Sequence, residues 1–119
     1  MDWLRLNTVS QIGTIAEASH NVPCLILKHS PTCSLSFISK SRLENDWPFP
    51  TDTVTPFILD VVADRSLARA VAERFSVHHE SPQILLIWKG ACVYDDSHLD
   101  ISVADLAEFM AENAVAVPG

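Results

Sequence analysis

The sequence predicts an α/β domain, a four-stranded mixed sheet flanked by helices with an extra helix at its N-terminus. Short apolar runs at 24–27, 56–62 and 83–88 have the length and aliphatic content of buried strands, and helical spacings separate them. Lys89-Gly90 directly after the third run is a hairpin signal, supplying a fourth strand. With 119 residues, 48% of them hydrophobic and 19% charged, the chain can build one core, so one domain is expected over residues 1–119.

The elements follow in order. Thr8-Val9-Ser10-Gln11 has the form of a capping box, and Val9, Ile12, Ala16 and Ser19 follow at helical spacing with Ile15 beside them, predicting a helix from about Ser10 to Ser19. Pro23 opens the first strand, Cys24-Leu25-Ile26-Leu27, which Lys28-His29-Ser30-Pro31 bounds. From Cys33 to about Glu44 there is no Gly or Pro, and Leu35, Phe37 and Ile38 gather toward one side, so a helix is expected to open after Pro31-Thr32. Prolines and turn residues make 45–52 a loop.

The run 56–62 is the second strand. Ser66 is the expected cap of a helix from Leu67 to Phe75, with Leu67, Val71 and Phe75 on one face. Ser81-Pro82 leads into the third strand, 83–88, and the hairpin turn leads into the fourth, 91–94. Ser102, with Asp105 three residues on, caps a last helix whose apolar face is Val103, Leu106, Ala107 and Met110. Two strands joined through a helix pair in parallel, and the late hairpin adds antiparallel strands.

Charge narrows the function. Eight Lys and Arg against fifteen Asp and Glu give −7, which disfavours nucleic acid and anionic membranes as partners. From Asp95 to Glu112 there are six acids and no base, the pattern of a solvated face. No apolar run approaches the ~18 residues of a membrane span. The start MDWLRLNTVS lacks the basic start and the apolar stretch of a secretory leader, so a cytoplasmic protein is expected.

Cys24, Cys33 and Cys92 are too few and too widely spaced for a disulfide framework. Cys24 and Cys92 lie inside strand-like runs, where a free cysteine behaves as a small hydrophobe. Cys33 differs, because it follows a buried strand, comes after a Pro-containing turn and begins a helix. Free N–H groups and the macrodipole at a helix start favour a thiolate over a thiol. Lys28, His29 and Lys40 add cationic groups nearby in sequence, and Ser36, three residues on, is placed to donate a hydrogen bond to the sulfur.

His20, Cys24, His29 and Cys33 contain metal-ligand types, but Cys24 would have to leave a strand interior to take part, and no metal site is expected. A phosphatase-type loop needs an arginine where Ser39 stands, and no nucleotide-binding or nucleophile-elbow motif occurs. Pro82, at the start of a strand after Glu80-Ser81, invites a cis peptide bond, although a trans proline is the commoner choice there.

The segments Leu27-Lys28-His29-Ser30-Pro31-Thr32-Cys33-Ser34-Leu35-Ser36, Asp60-Val61-Val62-Ala63-Asp64-Arg65, His79-Glu80-Ser81-Pro82-Gln83, Gly90 and Ser97-His98 together resemble the monothiol bacilliredoxin family. These are redox proteins of the bacillithiol system with a thioredoxin-like fold, and the likeness runs from about Trp3 to Met110. The resemblance implies a cis-proline at Pro82 opposite the active-site cysteine. It implies Cys33 as nucleophile of a C-x-x-S site, with Ser36 where dithiol relatives carry a resolving cysteine.

The implied reaction is removal of bacillithiol, a malate-containing thiol, from a mixed disulfide on a client protein, with a second small thiol or a reductase completing the cycle. Thr32 and Ser81-Pro82 would bind the backbone of the disulfide partner, and Gln83 would contact the small thiol. His29, His79 and Lys28 would adjust the ionisation of Cys33, and Lys40-Ser41-Arg42 could attract bacillithiol's carboxylates. The expected partners are bacillithiolated clients and a low-molecular-weight thiol, with bacillithiol as co-substrate, no other cofactor and a monomeric chain. The alternative is a monothiol binding module, an iron–sulfur carrier or an adaptor. Cluster-carrying glutaredoxins usually show C-G-F-S where this chain has Cys33-Ser34-Leu35-Ser36.

Overall fold

The computed structural model describes residues 1–115. The strands are β1 (Leu4–Arg5), β2 (Cys24–His29), β3 (Thr55–Asp60), β4 (Gln83–Trp88) and β5 (Ala91–Ser97). The helices are α1 (Ser10–Ala18), α2 (Ser34–Asp46), α3 (Arg65–Phe75) and α4 (Val103–Glu112), with one 3-10 turn at His98–Asp100. The sheet runs β1-β3-β2-β4-β5. Both β1 and β2 pair with β3 in parallel, and β4 is antiparallel to β2 and β5.

The sheet therefore has five strands where four were expected. Leu4–Arg5 is only two residues long and exposed on both, so no apolar pattern announces it. It exists by pairing with Phe57 and Ile58 of β3. The hairpin strand also runs on to Ser97, three residues past the expected end, and β3 stops at Asp60 rather than 62. Asp60 Oδ1 accepts the amides of Val62 and Ala63 at 2.9 Å each, bending the chain out of the strand.

Helices cover both faces of the sheet, which is why β2 and β4 read as unbroken apolar runs. On one side Cys24, Ile26, Leu59, Leu85 and Ile87 pack against Ile12 and Ile15 of α1 and Leu67, Val71 and Phe75 of α3. On the other, Leu25, Leu27, Ile84 and Leu86 meet Leu43 of α2 and Val103, Leu106 and Met110 of α4. Each such aliphatic side chain contributes about 1.5–3 kcal/mol by leaving water.

The helix starts correct two expectations and keep a third. Gln11 Oε1 accepts the amides of Asn7 and Thr8, so only the glutamine half of the capping box forms, and Val9 stands at the cap without a side-chain bond. Asp64, not Ser66, caps α3, accepting Leu67 N–H at 3.0 Å, while the Ser66 hydroxyl bonds to the same carboxylate. Ser102 caps α4 through Asp105 N–H as expected. In the hairpin turn Lys89 and Gly90 both hold positive φ, 53° and 82°, the left-handed pair that a two-residue turn requires.

Helix α2 keeps its predicted start but turns differently. It buries Ser36, Ser39 and Leu43, leaving Phe37 and Ile38 exposed. It also continues through Asp46, two residues into the expected loop.

Candidate active site

Cys33 is the N-cap residue of α2, in extended backbone conformation (φ −110°, ψ 121°), and it is half-buried. Its amide donates to Ser30 O at 3.1 Å and its carbonyl accepts Phe37 N–H at 3.1 Å, closing the turn that links β2 to the helix. Cys33 thus stands at the end of the helix where unpaired amides concentrate, and its side chain makes no capping hydrogen bond among the described residues. Cys24 and Cys92 are in other settings. Burial pushes each of those thiols up to about 11, Cys24 inside the core and Cys92 half-buried on β5.

Three further segments meet at this end of the sheet. Lys28 is the register partner of Gln83, so the end of β2 lies beside the start of β4, with Pro82 one residue before it. The Ser81–Pro82 peptide bond is cis. Pro82 O accepts His98 N–H at 2.9 Å, and His98 O accepts the Ser39 hydroxyl of α2 at 3.3 Å, joining the cis-proline turn to the helix that Cys33 begins. Val61 N–H donates to His29 O at 3.0 Å and brings in the segment after β3.

The structure reassigns several expected contacts. Ser36 Oγ is fully buried, accepts Ser30 N–H at 3.0 Å and lies 2.6 Å from His29 Nδ1. Among the described residues it makes no hydrogen bond to Cys33, so it braces the loop that carries the cysteine rather than the sulfur itself. Burial, followed by the Lys40 charge, holds His29 below the usual histidine range and favours the neutral ring. Gln83 is 1% exposed, and its amide donates to His78 O at 2.9 Å while its oxygen accepts Glu80 N–H. It shapes the cis-proline turn from inside, and a ligand in solvent has little access to it.

Thr32 is exposed beside Cys33, as a residue that meets a partner must be. The Ser81 hydroxyl is buried and has no hydrogen-bond partner among the described residues. Lys40 pairs with Glu44 at 2.8 Å, which Trp3 Nε1 also reaches at 2.8 Å, so the Lys40-Ser41-Arg42 run is partly neutralised.

Lys28 was expected as a cationic group acting on Cys33, but its burial was not. It was expected to bound a strand, yet it lies within β2 and is 0% exposed. Its Nζ donates to His79 Nδ1 at 3.1 Å. Burial lowers Lys28 to about 8, with Cys92, Glu80 and Asp95 partly opposing. Burial first and the Lys28 ammonium second hold His79 below its ordinary value.

Comparison with known proteins accords with this arrangement. The family model for monothiol bacilliredoxin BrxC matches residues 4–106. A protein described as a candidate oxidoreductase with a thioredoxin fold superposes at a TM-score of 0.72 with 28% identity, over 88% of this chain and 90% of the other. Thioredoxin O2 from Arabidopsis thaliana, in its oxidised state, gives 0.65 at 15% identity over 92% of both chains. Spinach chloroplast thioredoxin F gives 0.70 at 14% identity over 95% of this chain and 87% of the other. The fold is that of thioredoxin, as the resemblance implied.

Proposed function

Because the chain belongs to the monothiol bacilliredoxin family, we propose that it removes bacillithiol from mixed disulfides on client proteins through Cys33. The observation that carries this reading is the contrast among the three thiols. One stands half-buried at a helix start whose turn joins a cis-proline; of the others, Cys24 is sealed in the core and Cys92 is half-buried on β5, and burial pushes both up to about 11.

The Cys33 thiolate attacks the bacillithiol sulfur of the mixed disulfide. A bond forms between Cys33 Sγ and that sulfur, the client's S–S bond breaks, and the client cysteine leaves as a thiolate, so the client is reduced and Cys33 carries the small thiol. With Ser36 in the fourth position of the motif, no neighbouring thiol can resolve this adduct. A second bacillithiol thiolate attacks it, releasing bacillithiol disulfide and restoring Cys33.

The chain's own groups orient the exchange. The cis-proline turn is the edge that an extended partner would meet, and Ser81 Oγ, a buried hydroxyl without a partner among the described residues, gains a hydrogen bond if the turn shifts to admit one. Leaving such a group unpaired costs about 1–3 kcal/mol. Ser36 and His29 hold the loop from Ser30 to Cys33 in place.

The test mixes the protein with a bacillithiolated client and records intact masses with time. Wild type should gain the mass of bacillithiol as the client loses it, and Cys33→Ser should do neither. Equal release by the Cys33→Ser variant ends the proposal.

A further inference from the structure

A cavity of about 320 Å³ opens between the segment after β3 and helix α3, lined by Val61, Val62, Arg65, Ala68, Arg69 and His79. All three of its ionisable side chains are nitrogen bases, and none of its lining residues is acidic. Lys28 stands behind His79, in contact with the ring. In a chain of net charge −7, this concentration of positive charge runs against the overall composition.

The arrangement is unfavourable to the helix unless something offsets it. Arg65 and Arg69 are four residues apart, so their charges share one face of α3. Arg65 is also the first residue of the helix, at the positive end of its dipole. Neither guanidinium forms an ion pair among the described residues. The nearby carboxylates are engaged elsewhere. Asp64 caps α3, and Glu80 is shared by His78 and His98 at 3.3 Å each. An ammonium can only donate, so His79 Nδ1 accepts from Lys28 and the ring proton sits on Nε2, the ring's one donor.

The cavity is connected to the cysteine loop. Val61, in its wall, donates its amide to His29 O, four residues before Cys33, and His79 lies three residues before the cis-proline. We propose that this cavity is a carboxylate-binding site that seats the malyl end of the small thiol while its sulfur is exchanged at Cys33. Two guanidinium groups and an imidazole N–H bring to one cavity the charge and the kind of donors that a dicarboxylate takes. The assignment rests on the reading that the departing group is a malate-bearing thiol.

Binding is tested first without turnover, by titrating L-malate into ¹⁵N-labelled protein. The amides of Val62, Arg65, Arg69 and His79 should shift together, and affinity should fall at least tenfold in Arg65→Gln/Arg69→Gln. Both arginines are exposed, so the double variant should keep its fold, which its amide spectrum checks. Absence of localised shifts overturns the site whether or not Cys33 exchanges thiols.

Transfer is then followed with one client carrying either bacillithiol or its malate-free counterpart, cysteinyl-glucosamine. The double variant should raise KM about tenfold for the first substrate only, with kcat unchanged. An equal rise for both places the recognised carboxylates on the client and overturns the assignment to the small thiol. No transfer to wild-type Cys33 with localised malate shifts would refute the exchange reaction, and with it the seating of a thiol, while leaving an anion site.

Discussion

Replacing Lys28 by methionine removes a charge from the middle of the sheet while keeping an unbranched chain of similar length. In the folded protein Lys28 is lowered to about 8 by burial, whereas an unfolded lysine holds its proton to ~10.4. Between those values the unfolded chain binds more protons, so this residue makes the protein more stable as pH rises through the window. Below it, the charged side chain costs the fold about 3 kcal/mol, the ~2.4-unit difference at 1.36 kcal/mol per unit.

About 2 kcal/mol of that penalty should be relieved between pH 7 and 9.5. Cys24, Cys92 and Tyr94, all raised by burial, titrate in the opposite sense and weaken the fold at higher pH; Cys24 and Tyr94 cancel in the difference, whereas Cys92, which the Lys28 charge lowers, is removed from the comparison by making both proteins in a Cys92→Ala background. Urea unfolding followed by tryptophan fluorescence at a series of pH values gives the comparison. Lys28→Met should have its largest advantage over wild type near pH 7, reduced by the roughly 1 kcal/mol lost with the hydrogen bond to His79. That advantage should shrink by about 2 kcal/mol by pH 9.5. Parallel stability curves for the two proteins would refute the claim that the fold holds this lysine below its ordinary value.

Two other perturbations follow from the same structure. Iodoacetamide at pH 7.5, with labelled peptides identified by mass, should modify Cys33 well before the other thiols, since a rise to about 11 leaves Cys24 and Cys92 with roughly a hundredfold less thiolate than an ordinary cysteine. Comparable early labelling of Cys92 would contradict its assigned environment. Ser36→Ala strands Ser30 N–H and removes the partner of His29 Nδ1, so unfolding in urea should show a loss of about 1–3 kcal/mol. A loss under about 0.5 kcal/mol would mean that the hydroxyl does not brace the loop.

Expectation and outcome separate along physical lines. Cys33 at a helix start, the Lys89-Gly90 turn and the Ser102 cap all depend on a few adjacent residues, and all three stand as expected. The cap of α3 went to Asp64 because both Asp64 and Ser66 are cap formers within two residues, and only the path of the chain out of β3 selects between them. Phe37 and Ile38 were expected on the packed side of α2, but the core there takes Ser36, Ser39 and Leu43. That helix carries too little apolar periodicity to orient itself, and its neighbours do so.

The sequence alone determined where strands and helices alternate, where the hairpin closes and which thiol stands apart, because period, turn chemistry and caps are properties of neighbouring residues. Tertiary structure decided that Leu4–Arg5 is a strand, that Ser36 serves His29 rather than Cys33, and that Lys28 is sealed against His79 beside a cavity of arginines. Those outcomes depend on dielectric surroundings and partners supplied by segments dozens of residues away, which no local pattern encodes.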